Sequence, residues 1–313
     1  MPTTTSMTGK APYRWPHPVD RPGRRIADGL LVTLMLVMSG LLAGCANLRP
    51  STAVDPERLR QGVQVVRTLP AALPDKSSAV PNTQFVLLSS ESAAQMLVPV
   101  PFVGEAVAGA LNASAAGRLA TRFASLDPYR NVQAALQGSA LIRADGSAGA
   151  MTLQPYVFVQ ECIDDRYRLT LVGHLQGGDW VGRYLVHLPT TYSPAEVDQP
   201  TPQVLAAMER EIAEGATQLR RLLERGARGE LGPSGVRAEV GSLHLVGARA
   251  AGLVSPTLVR VKDADVIEET SDHVLLRIAG DMKSPASAGG LFFGVHLMRK
   301  DQLHTFKKTG AAS

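Results

Sequence analysis

Cys45 is the residue best placed for chemistry in this chain. It closes the run Leu42-Ala43-Gly44-Cys45, and a thiolate is the good side-chain nucleophile near neutral pH. Ala43 and Gly44 are small, so an enzyme acting at Cys45 meets little steric obstruction. Beyond it lie six histidines, His174, His187, His244, His273, His296 and His304. No two of them have a metal-ligand spacing on one predicted element. A zinc or copper site drawn from distant strands is conceivable, but core or surface histidines are the default reading. Asp263-Ala264-Asp265 with Glu268 and Glu269 could bind a cation and reads instead as a solvated loop; Asp164-Asp165 reads as a turn. Ser242 and Ser255 have no basic partner that spacing identifies. G-x-S-x-G, H-E-x-x-H, P-loop and G-x-G-x-x-G patterns are missing. The sequence therefore assigns no catalytic residue, no cofactor-binding residue and no metal ligand.

What surrounds Cys45 carries more. Arg21, Arg24 and Arg25 precede an apolar stretch, Gly29 to Ala43, with Leu30, Leu31, Val32, Leu34, Leu36, Val37, Leu41 and Leu42. The stretch is short for a bilayer-spanning helix, which needs about 20 residues, and has the length of a secretory h-region. Basic region, apolar run and Leu-Ala-Gly-Cys, in that order, resemble the lipobox signal of exported bacterial lipoproteins over residues 1–46. The long basic region, with Met7 as a second possible start, and Asp28 at the edge of the apolar run depart from the usual pattern. The resemblance implies that residues 1–44 are a signal peptide cut between Gly44 and Cys45. It implies that Cys45 is the lipid-attachment site, taking a diacylglycerol on sulfur and an acyl chain such as palmitate on the new amine. The alternative is an uncleaved signal anchor with an incidental Cys45. Both place the rest of the chain outside the cytoplasm, because the arginines come first. Ala46, not aspartate, follows the cysteine, which by the same resemblance directs the protein to the outer membrane, facing the periplasm or the cell surface. The implied partners are the membrane, through the lipid, and an envelope protein.

Composition bounds the remainder. The chain has 313 residues, 45% hydrophobic and with a formal net charge of +4. Five basic side chains (Lys10, Arg14, Arg21, Arg24, Arg25) and two acidic ones (Asp20, Asp28) lie before Cys45, so the chain beyond Cys45 is close to neutral. Nucleic-acid binding loses its electrostatic basis. With two cysteines, one of them acylated, a disulfide framework is excluded. Cys162 then reads as a small buried side chain near a strand end, or as an intermolecular disulfide or reactive site.

Residues 45–54 read as a tether of at most roughly 30 Å, and 55–313 as a single domain. Asp55-Pro56 starts a helix expected to run to about Leu69. Gln84 to Ser89 reads as a buried strand. Phe102 to Leu126 is Ala/Gly-rich and free of proline. It is expected to be a helix under a sheet, or a membrane-dipping or oligomer-forming one, given the small residues Gly109, Ala113 and Gly117. A short helix follows Asp127-Pro128. Met151 to Gln160 reads as a strand. Arg166 to Leu175 and Trp180 to Leu188 form an antiparallel hairpin across Gln176-Gly177-Gly178-Asp179, with Leu175 opposite Trp180 and Gly173 opposite Gly182. One of its faces is apolar, with Trp180 and Tyr184 in the core. The other carries Arg168, Thr170, His174, Arg183 and His187. Thr201-Pro202 opens the clearest helix, with Leu205, Met208, Ile212, Gly215, Leu219 and Leu222 on one stripe. Five more strands follow: Val236–Val246, Pro256–Lys262, Asp272–Ile278, Leu291–Met298 and Leu303–Lys307, the last two as a hairpin. Gly280 to Gly290 reads as a loop. The expected fold is α+β, a largely antiparallel sheet of about six to nine strands with two or three long helices packed on it. The function classes left open are a non-enzymatic, lipid-anchored binding or scaffolding protein, an envelope-tethered hydrolase, and a ligand-binding accessory of a transporter or secretion system.

Overall fold

Helix starts are set by the residues that cap them. The computed structural model describes residues 51, 53–73, 77–88, 103–144, 147, 149–162, 166–246, 257–278 and 294–311. Cys45, the whole signal region, Asp164, Asp165, Ser255 and the loop Gly280–Gly290 lie outside them. Asp55 accepts from the backbone N–H groups of Glu57 and Arg58 and starts α1 (Pro56–Gln61). This helix is far shorter than the reach to Leu69 that the sequence suggested. Gly62 takes φ +93°, a left-handed value that ends the helix, and the β-branched Val63 and Val65 continue as β1 (Val63–Val65). A side chain at Gly62 would also strike the Leu141 carbonyl oxygen at 2.7 Å.

The chain continues through β2 (Ser77–Ala79), β3 (Phe85–Leu88), α2 (Val103–Arg122), α3 (Pro128–Leu136), β4 (Met151–Glu161), β5 (Tyr167–Gly177) and β6 (Trp180–Tyr192). Then come α4 (Pro194–Asp198), α5 (Pro202–Ala227), β7 (Val236–Val246), β8 (Thr257–Glu269), β9 (His273–Ile278) and β10 (Gly294–Arg299). A 3-10 turn (Lys300–Gln302) leads into β11 (Leu303–Ala311). The fold is α+β, with one sheet of 11 strands in the order β11-β7-β8-β9-β10-β6-β5-β4-β3-β2, and β1 also on β4.

The sheet is mixed, not largely antiparallel, and larger than expected. β1 and β3 run parallel to β4, and β10 runs parallel to β6. Side-chain alternation reports that a residue is in a strand but carries no sign for the strand's direction; direction follows from the connection. Short turns force antiparallel pairs, whereas the long crossovers from β3 to β4 and from β6 to β10 allow parallel ones. The helices also differ from the two or three long ones expected: the described residues hold five, of 6, 20, 9, 5 and 26 residues.

α5 is the helix the sequence describes best. Thr201 accepts from Val204 N–H at 3.3 Å, Pro202 fills the first turn, and Met208, Ile212, Gly215, Leu219 and Leu222 are buried. It lies against β5 and β6. The β5–β6 hairpin forms as expected but two residues out of the expected register. Only Gly178 and Asp179 turn, with Gly178 at φ +61°, so Gly177 faces Trp180 and Leu175 faces Gly182. A slip of two keeps every side chain on its own face. The glycines therefore do not face each other. Gly173 lies under α5, where an added Cβ would meet Leu219 Cδ1 at 2.9 Å, and the Trp180 indole folds over Gly182.

The expected hairpin between β10 and β11 does not form; β11 pairs with β7. From Arg299 to Leu303 the chain spans at most about 14 Å. On a flat sheet, β10 and β11 would be four strand spacings, about 19 Å, apart. The C-terminal strands therefore curl. Inside the curl sits a separate apolar cluster that includes Val240, Val261, Val266, Val274, Leu276 and Met298. The main core lies between the helices and the opposite face, with Leu153, Val157, Leu169, Leu171, Tyr184 and Val186 among its members. The described end of α2 joins it through Leu119, and just beyond the helix Phe123 sits 4.8 Å from the Phe85 ring, while Ala113 and Gly117 are exposed. No helix among the described residues is long and apolar enough to cross a membrane. Ahead of α1 the chain is already docked on β6: Ser51 Oγ accepts from Arg183 N–H at 3.3 Å and Ala53 O accepts from Trp180 Nε1 at 3.1 Å.

Candidate functional site

Two features stand out, one on each face of the sheet. The first is a groove of about 430 Å³ between α5 and the strands β6, β9 and β10, within the size range of small-ligand sites. It opens where β6 and β10, paired from Tyr184 to Val186 and from Val295 to Leu297, splay apart. Gln302 Nε2 donates to the Leu188 carbonyl at 2.8 Å beyond that point. Val186, Leu188, Leu222 and Leu297 supply the apolar lining.

The charges around the groove are largely engaged. Arg225 pairs with Glu268 at 2.7 Å, and Arg299 with Asp301 at 2.7 Å. Glu211 is buried and accepts from Tyr192 Oη at 3.1 Å and from the Thr190 hydroxyl. Burial first, and then the Glu211 carboxylate, raise the Tyr192 phenol above its ordinary range. Among the described residues, Glu214 and Arg221, both exposed and seven positions apart on α5, have no ion-pair partner.

The second feature is a polar ladder on the opposite face of the sheet. The sequence placed Arg168, Thr170, His174, Arg183 and His187 there as the polar side of a hairpin. The structure keeps them on one face but buries four of them: Thr170 is 1%, Arg183 3%, His174 5% and His187 5% exposed. His296, on β10, joins them with 0% exposure. His187 Nδ1 lies 3.2 Å from Thr170 Oγ1, and His187 Nε2 lies 3.0 Å from His296 Nδ1. The two imidazole rings stack at 24°. This contact brings together histidines from the distant strands β6 and β10, 109 positions apart; no spacing rule on a single element reaches that far.

His174 and Arg183 face each other across β5 and β6. Arg183 Nε and Nη1 and His174 Nδ1 are buried without a hydrogen-bond partner. Burial, and then the neighbouring Arg183 cation, push the His174 imidazole down to about 3. Burial also holds the Arg183 guanidinium below its ordinary range. Tyr156, next to this pair on β4, has its phenol raised by burial, with Arg183 opposing.

The remaining sequence candidates fall elsewhere. Asp263, Asp265, Glu268 and Glu269 are not in a solvated loop: they lie on β8. Strand pairing takes them up, because Arg237 on β7 reaches Asp265 at 3.1 Å and Asp263 at 3.7 Å. Glu269 holds Lys300 and Lys308 at 2.8 and 2.7 Å. No group of three His, Cys, Asp or Glu side chains among the described residues has metal-site geometry. Cys162 is 1% exposed at the end of β4, in keeping with the small-buried-residue reading. Trp180, Tyr184 and Tyr192 are core, at 7%, 1% and 2% exposure. No family model, no curated protein and no solved structure matches this chain.

Proposed function

We propose that this chain is a lipid-anchored protein of the bacterial cell envelope that works by binding. In this reading residues 1–44 are removed, Cys45 carries the lipid, and 55–313 act as one domain outside the cytoplasm, at the periplasmic face of the outer membrane or on the cell surface. The observation that carries the anchoring is the ordered run of basic residues, apolar segment and Leu42-Ala43-Gly44-Cys45. Residues 46–50 alone then separate the lipid-bearing residue from the docked Ser51, a reach of at most about 20 Å. The domain stays close to its membrane, where an envelope partner would meet it.

Binding is supported by the α5 groove, whose apolar lining is joined on the α5 side by Glu214 and Arg221, neither of which has an ion-pair partner among the described residues. Such a site orients a ligand or peptide segment by charge while apolar contact supplies affinity. The hydrolase alternative would draw on Glu211 at the groove wall, but that carboxylate already accepts from Thr190 and Tyr192. The test is Cys45→Ser in cells fed labelled palmitate. The wild type is expected in the membrane fraction, labelled and processed, and the variant unlabelled and of precursor size. Equal membrane association and equal size for the two would overturn the anchoring.

A further inference from the structure

We infer that the α5 groove takes a short free peptide, about three residues long, with its ammonium end at Glu214 and its carboxylate end at Arg221. Such an occupant rests on the binding role proposed for that groove and not on the anchoring. The charged and amide side chains that α5 contributes to the lining are, in order, Glu211, Glu214, Gln218, Arg221 and Arg225. Spacings of three and four keep them on one stripe of the helix, with both acids at one end and both bases at the other. A helix gains from opposite charges at these spacings and loses from like ones. Here Glu211 stands three positions before Glu214, and Arg221 four before Arg225. The helix dipole favours such an order only within the first and last turns. Glu211, Glu214 and Arg221 lie between those turns, since α5 runs from Pro202 to Ala227. The separation of sign therefore suits a ligand that is itself dipolar.

Most of the other charges at the groove are taken up within the chain. Glu211 accepts from Tyr192 and Thr190. Arg225 is shared between Glu268 and Glu230, at 2.7 and 3.4 Å. On the strand side Arg299 pairs with Asp301, and His273 Nδ1 lies 3.5 Å from Asp272. Glu214 and Arg221 are exposed and have no ion-pair partner among the described residues; Arg221 has a 3.5 Å hydrogen bond to Gln218 Oε1. Seven positions on a helix are about 10 Å along its axis and about 20° short of two full turns, so the two face the same way. Three extended residues also span about 10 Å. Gln218, between them, offers an amide to the peptide groups of the ligand. An anion alone would meet Arg221 and leave Glu214 opposed to it, and a cation alone the reverse. A free amine and a free carboxylate at that separation match both.

The groove has room for such a ligand. Its volume of about 430 Å³ is at the small end of the range for ligand sites, which suits a few residues. A bulge in β6 helps to make that space. Between the pairs Thr170–His187 and Arg168–Thr191, three residues, Leu188 to Thr190, stand opposite Leu169 alone. Extra residues of this kind bend a strand and are over-represented beside functional sites. Here they follow directly on Val186, the last residue of β6 paired with β10. The exposed Pro189, the half-buried Leu297 and the buried Leu222 provide apolar surface for small side chains.

The full chain in non-ionic detergent would be titrated calorimetrically with trialanine, with its N-acetylated, C-amidated and doubly blocked forms, and with single alanine. Trialanine is expected to bind one per chain, more weakly as salt is raised. Acetylation or amidation should each weaken it roughly three- to tenfold, as for partly exposed charged contacts. Glu214→Gln should abolish the preference for a free amine and keep the preference for a free carboxylate; Arg221→Gln should do the opposite. A residue with a merely structural role would not remove one preference and spare the other. Doubly blocked trialanine binding as well as the free peptide would overturn the assignment while leaving the groove a binder of internal peptide segments. No binding of any peptide would overturn both the assignment and the groove's binding role, with the palmitate labelling of Cys45 read separately. Both preferences intact in both variants, or single alanine binding as tightly as trialanine, would also overturn it.

Discussion

The two faces of the β5–β6 hairpin are built from the same strands and buried to a similar degree, yet they are chemically opposite. Toward α5 the side chains are Leu169, Leu171, Leu175, Tyr184, Val186 and Leu188, all in the main core. Gly173 lets Leu219 come down onto the backbone. On the other side Thr170, His174, Arg183 and His187 are equally withdrawn from water. An apolar face is stabilised by area removed from water, roughly 25 cal/mol per Å². A polar face at the same burial gains only where hydrogen bonds are completed and loses where they are not. Thr170, His187 and His296 are connected; His174 and Arg183 are not. One face holds the fold together, and the other carries a stability cost.

The largest expected effect is on the apolar face. Leu219→Ala removes the side chain that fills the space over Gly173 and should lower stability by about 3 kcal/mol through lost transfer energy and a cavity. Gly173→Ala alone should cost about 1–3 kcal/mol by overpacking. The double variant should cost less than the sum, because the new methyl occupies the space the leucine left. Denaturant midpoints measure all three, and strict additivity would mean that the two residues are not in contact.

The polar face should respond to acid where the apolar one does not. His174 titrates near 6.5 when unfolded and at about 3 when folded, so below pH 6.5 the unfolded chain binds the proton first. Stability is full above pH 6.5 and falls as pH drops toward 3, by roughly 3 kcal/mol between pH 6.5 and pH 4. His174→Leu should flatten that part of the profile. A wild-type profile without it would show that His174 is solvated.

A smaller effect is expected at Thr170→Val, which keeps the shape and removes the hydroxyl facing His187 Nδ1. The cost should be about 1–2 kcal/mol, one buried hydrogen bond and an unmatched ring nitrogen. An NMR shift of the His187 ring nitrogens would accompany it. The smallest belongs to the open groove. Arg221→Glu should change the unfolding stability by less than about 0.5 kcal/mol, as for an exposed side chain held by a long hydrogen bond to Gln218 Oε1. A larger loss would make that wall structural and remove the reason to treat it as a binding surface.

Much of the local structure was legible. Caps at Asp55, Asp127 and Thr201, the stripe on α5 and the β5–β6 hairpin all follow from short-range rules about hydrogen bonds and period. The errors have one kind of cause. α1 stops at Gly62, which takes φ +93°, and Leu141 and Arg143, far along the chain, fill the space a side chain there would need. β11 joins β7 because the sheet curls, and β10 joins β6 in parallel across more than 100 positions of chain. The candidate sites were less legible still. His187 and His296 meet only through that parallel pairing, and the α5 groove exists only because β6 and β10 separate after it.

The sequence by itself determined where the longer strands and the helices begin, which residues of the hairpin share a face, and the apolar run before Cys45 on which the envelope proposal rests. Those depend on forces that act within a few residues. The tertiary structure alone decided that the polar face is buried, that Arg183 and His174 are left unmatched, and which histidines touch. Alternation says which side of a strand a residue occupies; what lies over that side is contributed by other parts of the chain, and burial and pairing are properties of both.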